Sequence, residues 1–452
     1  MPRRPLRVAT IHELARSARE AGFETHVFPR PPGLDFHRSV RERLDDGPEF
    51  RRFLEEHDIE LVVDFNTAAL TFVPSSREPG NFAITTAELG IPYVAAYLDP
   101  ITSTMSQVAW PDHWHILENP TWIKWVWESA HAEELTRFGV PNVLAMPMAA
   151  YNDDFDTMPA TCDESGPAVA FMGHPASSWF VSQQPVDPSM LVPAYTAAAA
   201  CGDMPDLPFH KVYFDLYEFG APPSDNDDRP ARAAKALEYY QRKFAYNAYL
   251  AVRQRDRFAR FLKLKLGSAF ELVGDHWKTH CGLDHTPRVW DFKELHERMR
   301  RVPICLNLMK GCLETGMNLR HFEIPAYGGF MLTYASHELK RCFRVGEECD
   351  VFRSEEELLH KIALYLDKPK RRRDVALAGQ RRVHQEHLYS HRLTALVNEL
   401  RRTGWLPKVE SESARSERAV DRQIITPLNS RVERTESRDS QAVQPLATVS
   451  SS

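Results

Sequence analysis

Residues Asn307–Leu332 read NLMKGCLETGMNLRHFEIPAYGGFML, and the fold is decided in this stretch. An apolar strand, Ile304 to Leu308, runs into a loop that carries Gly311 and Gly316. A helix is expected from about Asn318, and Gly328-Gly329 lead into a further strand ending at Thr333. Strand, loop, helix and strand in that order make a parallel βαβ unit. Gly316 allows backbone to approach a ligand, and the N–H groups opening the next helix offer a partial positive charge to an anion. Arg320 adds a planar fork suited to phosphate oxygens. Glu323, one turn on, places a carboxylate where ribose hydroxyls could donate to it. A second reading pairs Glu323 with Arg320 at i,i+3.

The same rhythm extends upstream and downstream. Apolar strands are expected at Thr25–Phe28, Leu61–Phe65, Tyr93–Leu98, Trp125–Trp127 and Val143–Met146, with helices from Ile11, Arg51 and His131. Only Leu6-Arg7-Val8-Ala9 precedes the first helix, so either the first strand is very short or the chain starts late relative to a complete domain. Thr10 and Glu13 have capping-box spacing. Residues 1–155 thus form one Rossmann-like domain, and the Asp-rich stretch before Ser165 reads as a linker. Residues 165–405 form a second, opening with the strand Ala168–Met172, and carry a helical insertion over about 175–266. Helices are expected at Glu355–Leu366, Arg371–Glu386 and Ser390–Arg402. The fold class is α/β: two Rossmann-like domains facing across a cleft that binds ligands at strand carboxyl ends. After Trp405 there is no aromatic residue, and residues 409–452 read as a disordered tail.

Composition excludes several classes. With 56 Lys+Arg against 62 Asp+Glu the net charge is -6, which argues against a surface built to grip nucleic acid. The charge is uneven: residues 1–160 hold 14 basic and 24 acidic residues, residues 161–408 hold 36 and 31. Seven scattered cysteines without a CxxC pair read as free thiols of a reducing cytoplasm. No dinucleotide fingerprint, phosphate-binding loop, HExxH or nucleophile elbow occurs.

Asn318-Leu319-Arg320, followed by Phe322-Glu323-x-Pro325-Ala326-x-Gly328-Gly329-Phe330-x-Leu332-Thr333, resembles the signature of the CgeB-like glycosyltransferases, a GT-B-fold family in the glycosyltransferase group 1 set. The resemblance runs on through Phe343-x-x-Gly346-Glu347-Glu348 and His387-x-Tyr389-x-x-Arg392, and reaches back to Phe171-Met172-Gly173 and Val273-Gly274-Asp275-x-Trp277. It implies a sugar transferase whose second domain holds a nucleotide-diphosphate sugar, UDP- or GDP-linked, as co-substrate, with no tightly bound cofactor and no metal. Glu323 would then bind the ribose, while Gly316, Asn318 and Arg320 would face the diphosphate. Gly274, Asp275 and Trp277 would sit near the base, and Gly173 and His174 near the phosphates. Two departures stand out. Retaining relatives often carry glutamates eight positions apart, whereas Glu314 stands nine before Glu323. Relatives also often place Arg and Lys after the first strand of the nucleotide domain, where this chain has His174-Pro175-Ala176.

An acceptor base would come from the first domain. Asp99 ends an apolar strand and His12 opens the first helix, so both are candidates. Asp154-Phe155-Asp156 matches a metal-holding Asp-x-Asp, although aspartates are common in linkers. Trp110, Trp114, Trp122, Trp125 and Trp127 offer rings to sugars or to the core. The helix Arg229–Leu266 carries eleven basic residues and two acidic ones, with tyrosines interleaved. It reads as a helix with aromatics inward and solvated charges outward, or as a surface for an anionic acceptor, a peripheral membrane contact or nucleic acid. Besides sugar transfer, the alternatives are sugar-nucleotide epimerisation on the same fold and a non-catalytic binding protein using this helix.

Overall fold

The first sheet is built from short strands, mostly apolar at its centre. In a computed structural model, which describes residues 4–28, 39–77, 81–98, 114–155, 166–176, 208–216, 218–224, 226–309 and 313–408, these are β1 Arg7–Thr10, β2 Glu24–Val27 and β3 Leu61–Phe65. A hairpin of β4 Phe72–Pro74 and β5 Phe82–Ile84 lies off the sheet, which continues with β6 Tyr93–Ala96, β7 Trp122–Val126 and β8 Val143–Ala145. The order is β2-β1-β3-β6-β7-β8, all parallel. Helices cover both faces of such a sheet, so central strands such as β3 and β7 are buried at every residue.

The capping expectation is corrected. Thr10 belongs to β1 and its Oγ1 donates to the Val63 carbonyl at 2.7 Å, so it is unavailable to the helix His12–Glu20, whose N-cap is Ile11. The helix expected from Arg51 begins at Val40, where Ser39 and Glu42 form a true capping box. Gly47-Pro48 inside it hid the periodicity, and Gly47 is needed because a Cβ there would strike the Phe72 carbonyl.

The second sheet contains β9 Val169–Met172, β10 Phe270–Val273, β11 Ile304–Asn307, β12 Met331–Tyr334 and β13 Asp350–Phe352, ordered β10-β9-β11-β12-β13 and parallel throughout. Helices Glu355–Asp367, Pro369–Glu386 and Tyr389–Arg402 follow. The last of these returns to the first sheet and packs on the helix His12–Glu20. Arg392, 1% exposed, fixes the return by donating to the carbonyls of Pro147 and Met148. Tyr389 N–H donates to the Ala150 carbonyl at 2.9 Å, completing a parallel bridge between Ala150 and Leu388. This is the expected α/β pair of Rossmann-like units.

Between β9 and β10 a helical run extends from Arg229 to Leu266, interrupted by a π-helical turn at Val252–Asp256. Its Tyr239, Tyr240 and Tyr246 are buried against Phe138 and Phe209, as the inward reading of the aromatics requires. Trp122, Trp125 and Trp127 are likewise core residues. Asp99, Trp110, Asp156, the tail from 409, and the side chains of Trp114, Phe244 and Tyr249 lie outside the described residues. Cys281, Cys305, Cys342 and Cys349 are buried free thiols. Among the described residues no helix is long and apolar enough to cross a membrane.

Candidate functional site

Both sheets reverse their strand order, the first between β1 and β3 and the second between β9 and β11. Ligand crevices in open parallel sheets form at the carboxyl ends of strands at such points. The two sheets meet carboxyl end to carboxyl end. Glu128, just after β7, reaches the loop that follows β11, and Ser129 donates both its N–H and its hydroxyl to Glu338 after β12, at 2.8 and 2.6 Å.

The loop after β11 is where the sequence pointed, and its donors are engaged in an unforeseen way. The N–H groups of Glu314, Thr315 and Gly316 converge on Glu128 Oε2 at 3.1, 2.9 and 2.7 Å. His131 Nε2 lies 2.9 Å from the other carboxylate oxygen. Burial opposes the Glu128 charge, but His131 and the Thr315 N–H hold the carboxyl down at about 2. Burial likewise opposes the His131 charge, and Glu128 outweighs it, so the imidazole is held above its ordinary value. Gly316 is required for this approach: a Cβ on it would stand 2.6 Å from the Glu128 Cβ. The N–H groups that converge here are those of residues 314–316, ahead of the helix whose N-terminus was expected to face an anion, and the group they hold is the carboxylate of Glu128.

Next to it, Lys243 of the long helix is 3% exposed and bridges Glu134 of the first unit and Glu314 of the second. Burial disfavours its charge, and the two carboxylates together raise the ammonium above its ordinary range. Lys243→Met would leave two buried carboxylates without their cation. We expect it to lower the unfolding free energy by about 3–5 kcal/mol, read as a fall in the denaturant midpoint.

Asn318 and Glu323 sit beyond this loop. The Asn318 N–H donates to His321 Nδ1 at 3.1 Å, and its amide donates to Asn307 Oδ1 at 3.1 Å. His321 is fully buried and burial drives it down to about 3, so it stays neutral; a proton on Nε2 suits its 3.0 Å contact with Thr333 Oγ1. Asn318 thus fastens the loop to β11 and β12. The helix starts at Arg320, not Asn318, and spans Arg320–Ala326. Glu323 is 3% exposed and pairs with Arg320, the local pairing weighed from the sequence. Its charge also acts on Tyr151, Tyr389, His296 and Tyr327, which locates it at the junction where the chain crosses between the sheets.

The other expected residues gather at the ends of β9 and β10. Gly274, at φ 151, approaches the Gly173 carbonyl too closely for any Cβ. Asp275 N–H donates to His174 Nδ1 at 3.0 Å, and burial lowers the His174 pKa. Trp277 has 0% exposure and donates Nε1–H to the Gly173 carbonyl at 2.8 Å, so it braces this turn from the core and offers no face to a ligand. An exposed aromatic ring nearby is Trp290, 73% exposed, with the Arg288 guanidinium 3.8 Å from its ring centre. Arg288 N–H donates to Asp275 Oδ1 at 3.0 Å, which ties that stack to the same turn. His12 is exposed at the start of its helix, at the carboxyl end of β1. Asp154 pairs with Arg16 at 2.6 Å.

Sequence reasoning did not single out Glu128, His131, Lys243 or Trp290. Glu128 carried a readable signal, a carboxylate just past an apolar strand, the criterion that selected Asp99. His131 carried only its i,i+3 spacing from Glu128, and Lys243 carried none, because its partners come from distant segments.

Residues 253–398 match a family model described as Glycosyl transferase-like. No curated protein matches the chain. Among solved structures it is similar to sucrose-phosphate synthase from Thermosynechococcus elongatus, at 12% identity over 89% of this chain and 99% of that one, TM-score 0.42. It is also similar to a glycosyltransferase from Rickettsia africae, at 8% identity over 90% of this chain and 100% of that one, TM-score 0.42. A third is Anabaena HepE in complex with UDP, at 10% identity over 87% and 99%, TM-score 0.40. Likeness at that level assigns no residue a role. The chain carries a glycosyl transferase-like domain, and the matched residues take in β10 to β13, the Arg320–Ala326 helix and most of the returning helix.

Proposed function

We propose that the chain is a CgeB-like, GT-B-type glycosyltransferase that moves a sugar from a UDP- or GDP-linked donor to an acceptor. The donor would bind the unit spanning about 165–405 and the acceptor the unit spanning about 1–155. The observation that carries this reading is the convergence of Gly173-His174, Gly274-Asp275 and the Asn318–Glu323 segment at the carboxyl ends of β9, β10 and β11, within or beside the family match. Transfer requires a nucleoside diphosphate to leave the anomeric carbon, and charge fixed where the leaving group develops lowers that barrier. Arg320 is 28% exposed, enough to turn from Glu323 towards phosphate and free the carboxylate for ribose hydroxyls. His12 would take the acceptor proton as it stands exposed across the cleft, with Asp99 as the other base from the sequence.

The Trp290 face beside Asp275 suits a stacked base. Trp290→Ala should weaken nucleotide binding about 5- to 100-fold with little change in stability, read by calorimetry. The reading as a whole is tested by a panel of UDP- and GDP-sugars. The true donor at 100 times its dissociation constant should add about 2.7 kcal/mol to the unfolding free energy. It should also release nucleoside diphosphate when acceptor is supplied. A new sugar nucleotide formed without acceptor would indicate epimerisation instead. The absence of any stabilising sugar nucleotide would sink the donor assignment.

A further inference from the structure

The second sheet's crevice lies between β9 and β11, and the loop after β9, Gly173-His174-Pro175-Ala176, contains no Lys or Arg. A cation reaches it from elsewhere. Arg255, in the π-helical turn Val252–Asp256, is 7% exposed. It donates from Nη1 to the His174 carbonyl at 3.2 Å and from Nη2 to the Leu308 carbonyl at 2.8 Å. Those two carbonyls stand just past β9 and β11, one on each side of the crevice. The guanidinium also lies 5.3 Å from the centre of the Phe171 ring, at the end of β9. Its neighbour Asp256, 2% exposed, accepts the Ala176 N–H at 2.7 Å. A regular α-helix turns successive residues about 100° apart; the wider π turn coincides with two adjacent charged residues both buried against the sheet, and such turns recur at functional sites.

Carbonyl oxygens at strand ends carry partial negative charge and would repel a diphosphate. We propose that Arg255 is a positioning residue for the diphosphate: it draws the His174 and Leu308 carbonyls onto itself, so that their partial negative charge is offset at the crevice floor. This rests on the donor reading above. The long helix thereby supplies from a distance the charge that the loop after β9 lacks.

The test is calorimetric binding of UDP and uridine, with GDP and guanosine in parallel, to the full chain and to Arg255→Gln and Arg255→Lys. Arg255→Gln should weaken nucleoside diphosphate binding about 10- to 100-fold while the nucleoside changes less than about 3-fold. Arg255→Lys keeps the charge but cannot span both carbonyls, so it should lose several-fold on the diphosphate alone. It also serves should the Gln variant fail to fold. Equal losses for nucleoside and diphosphate, or unchanged diphosphate binding, would overturn the role of Arg255 and leave the donor reading intact. A wild-type chain that binds neither UDP nor GDP would remove the donor reading, and this inference with it.

Discussion

Glu323→Ala is expected to cut donor-dependent release of nucleoside diphosphate by about 100-fold, in a protein that unfolds close to the wild-type temperature. A carboxylate accepting hydroxyl protons contributes about 1.5–3 kcal/mol per bond, and a ribose offers two hydroxyls. The fold tolerates the loss because Arg320, the cation left behind, is 28% exposed and can be solvated. Glu323→Gln keeps the volume and one acceptor oxygen, so it should lie between the two. Full turnover in the alanine variant would take Glu323 out of the site and return it to its pairing with Arg320.

A large effect on stability is also expected at Glu128. Its carboxylate is fully buried and takes three backbone N–H groups from the facing sheet together with the charge of His131. Glu128→Ala orphans all four, and removing one partner of a buried pair costs about 3–5 kcal/mol. Denaturant unfolding followed by far-ultraviolet circular dichroism would read this as a lowered midpoint. The pH dependence has a definite sign. The Glu128 carboxyl is depressed from 4.5 to about 2, so its contribution is complete above pH 4.5 and is lost as pH falls towards 2. His131 is raised, so its contribution is complete below its ordinary value of 6.5 and fades as pH rises through the folded value. The alanine variant should therefore lose less stability between pH 4.5 and 2 than the wild type. An equal acid loss in both would show that other carboxylates carry it.

Much of this architecture was legible because parallel strands buried on both faces are near-continuous apolar runs. Leu61–Phe65, Ile304–Leu308 and the strand after Gly328-Gly329 needed no further signal. The start of the helix at Val40 was not legible, because Gly47-Pro48 interrupts its pattern for a reason that lies in Phe72, 25 residues away. In the candidate site, Gly316 was read as a place where backbone approaches a ligand, and sequence alone did not show that Glu128 makes a close approach there. Trp277, which the resemblance placed near the base, is buried, and its indole N–H donates to the Gly173 carbonyl. Arg255 and Lys243 looked like two of eleven solvated cations, and only the packing of both sheets around one helix separates them from the rest.

That helix is fastened to both units. Arg229 and Arg232 pair with Glu118, and Tyr239 and Lys243 with Glu134, all on the first unit. Arg257 pairs with Glu355, and Arg260 donates to the Cys281 carbonyl, on the second. Levering the sheets apart would have to part Lys243 from one of its two glutamates or bend the rod at its π turn. The protein is thus braced like a truss. An opening that kept Lys243 on both glutamates would have to bend the rod at residues 252–256, directly beside Arg255.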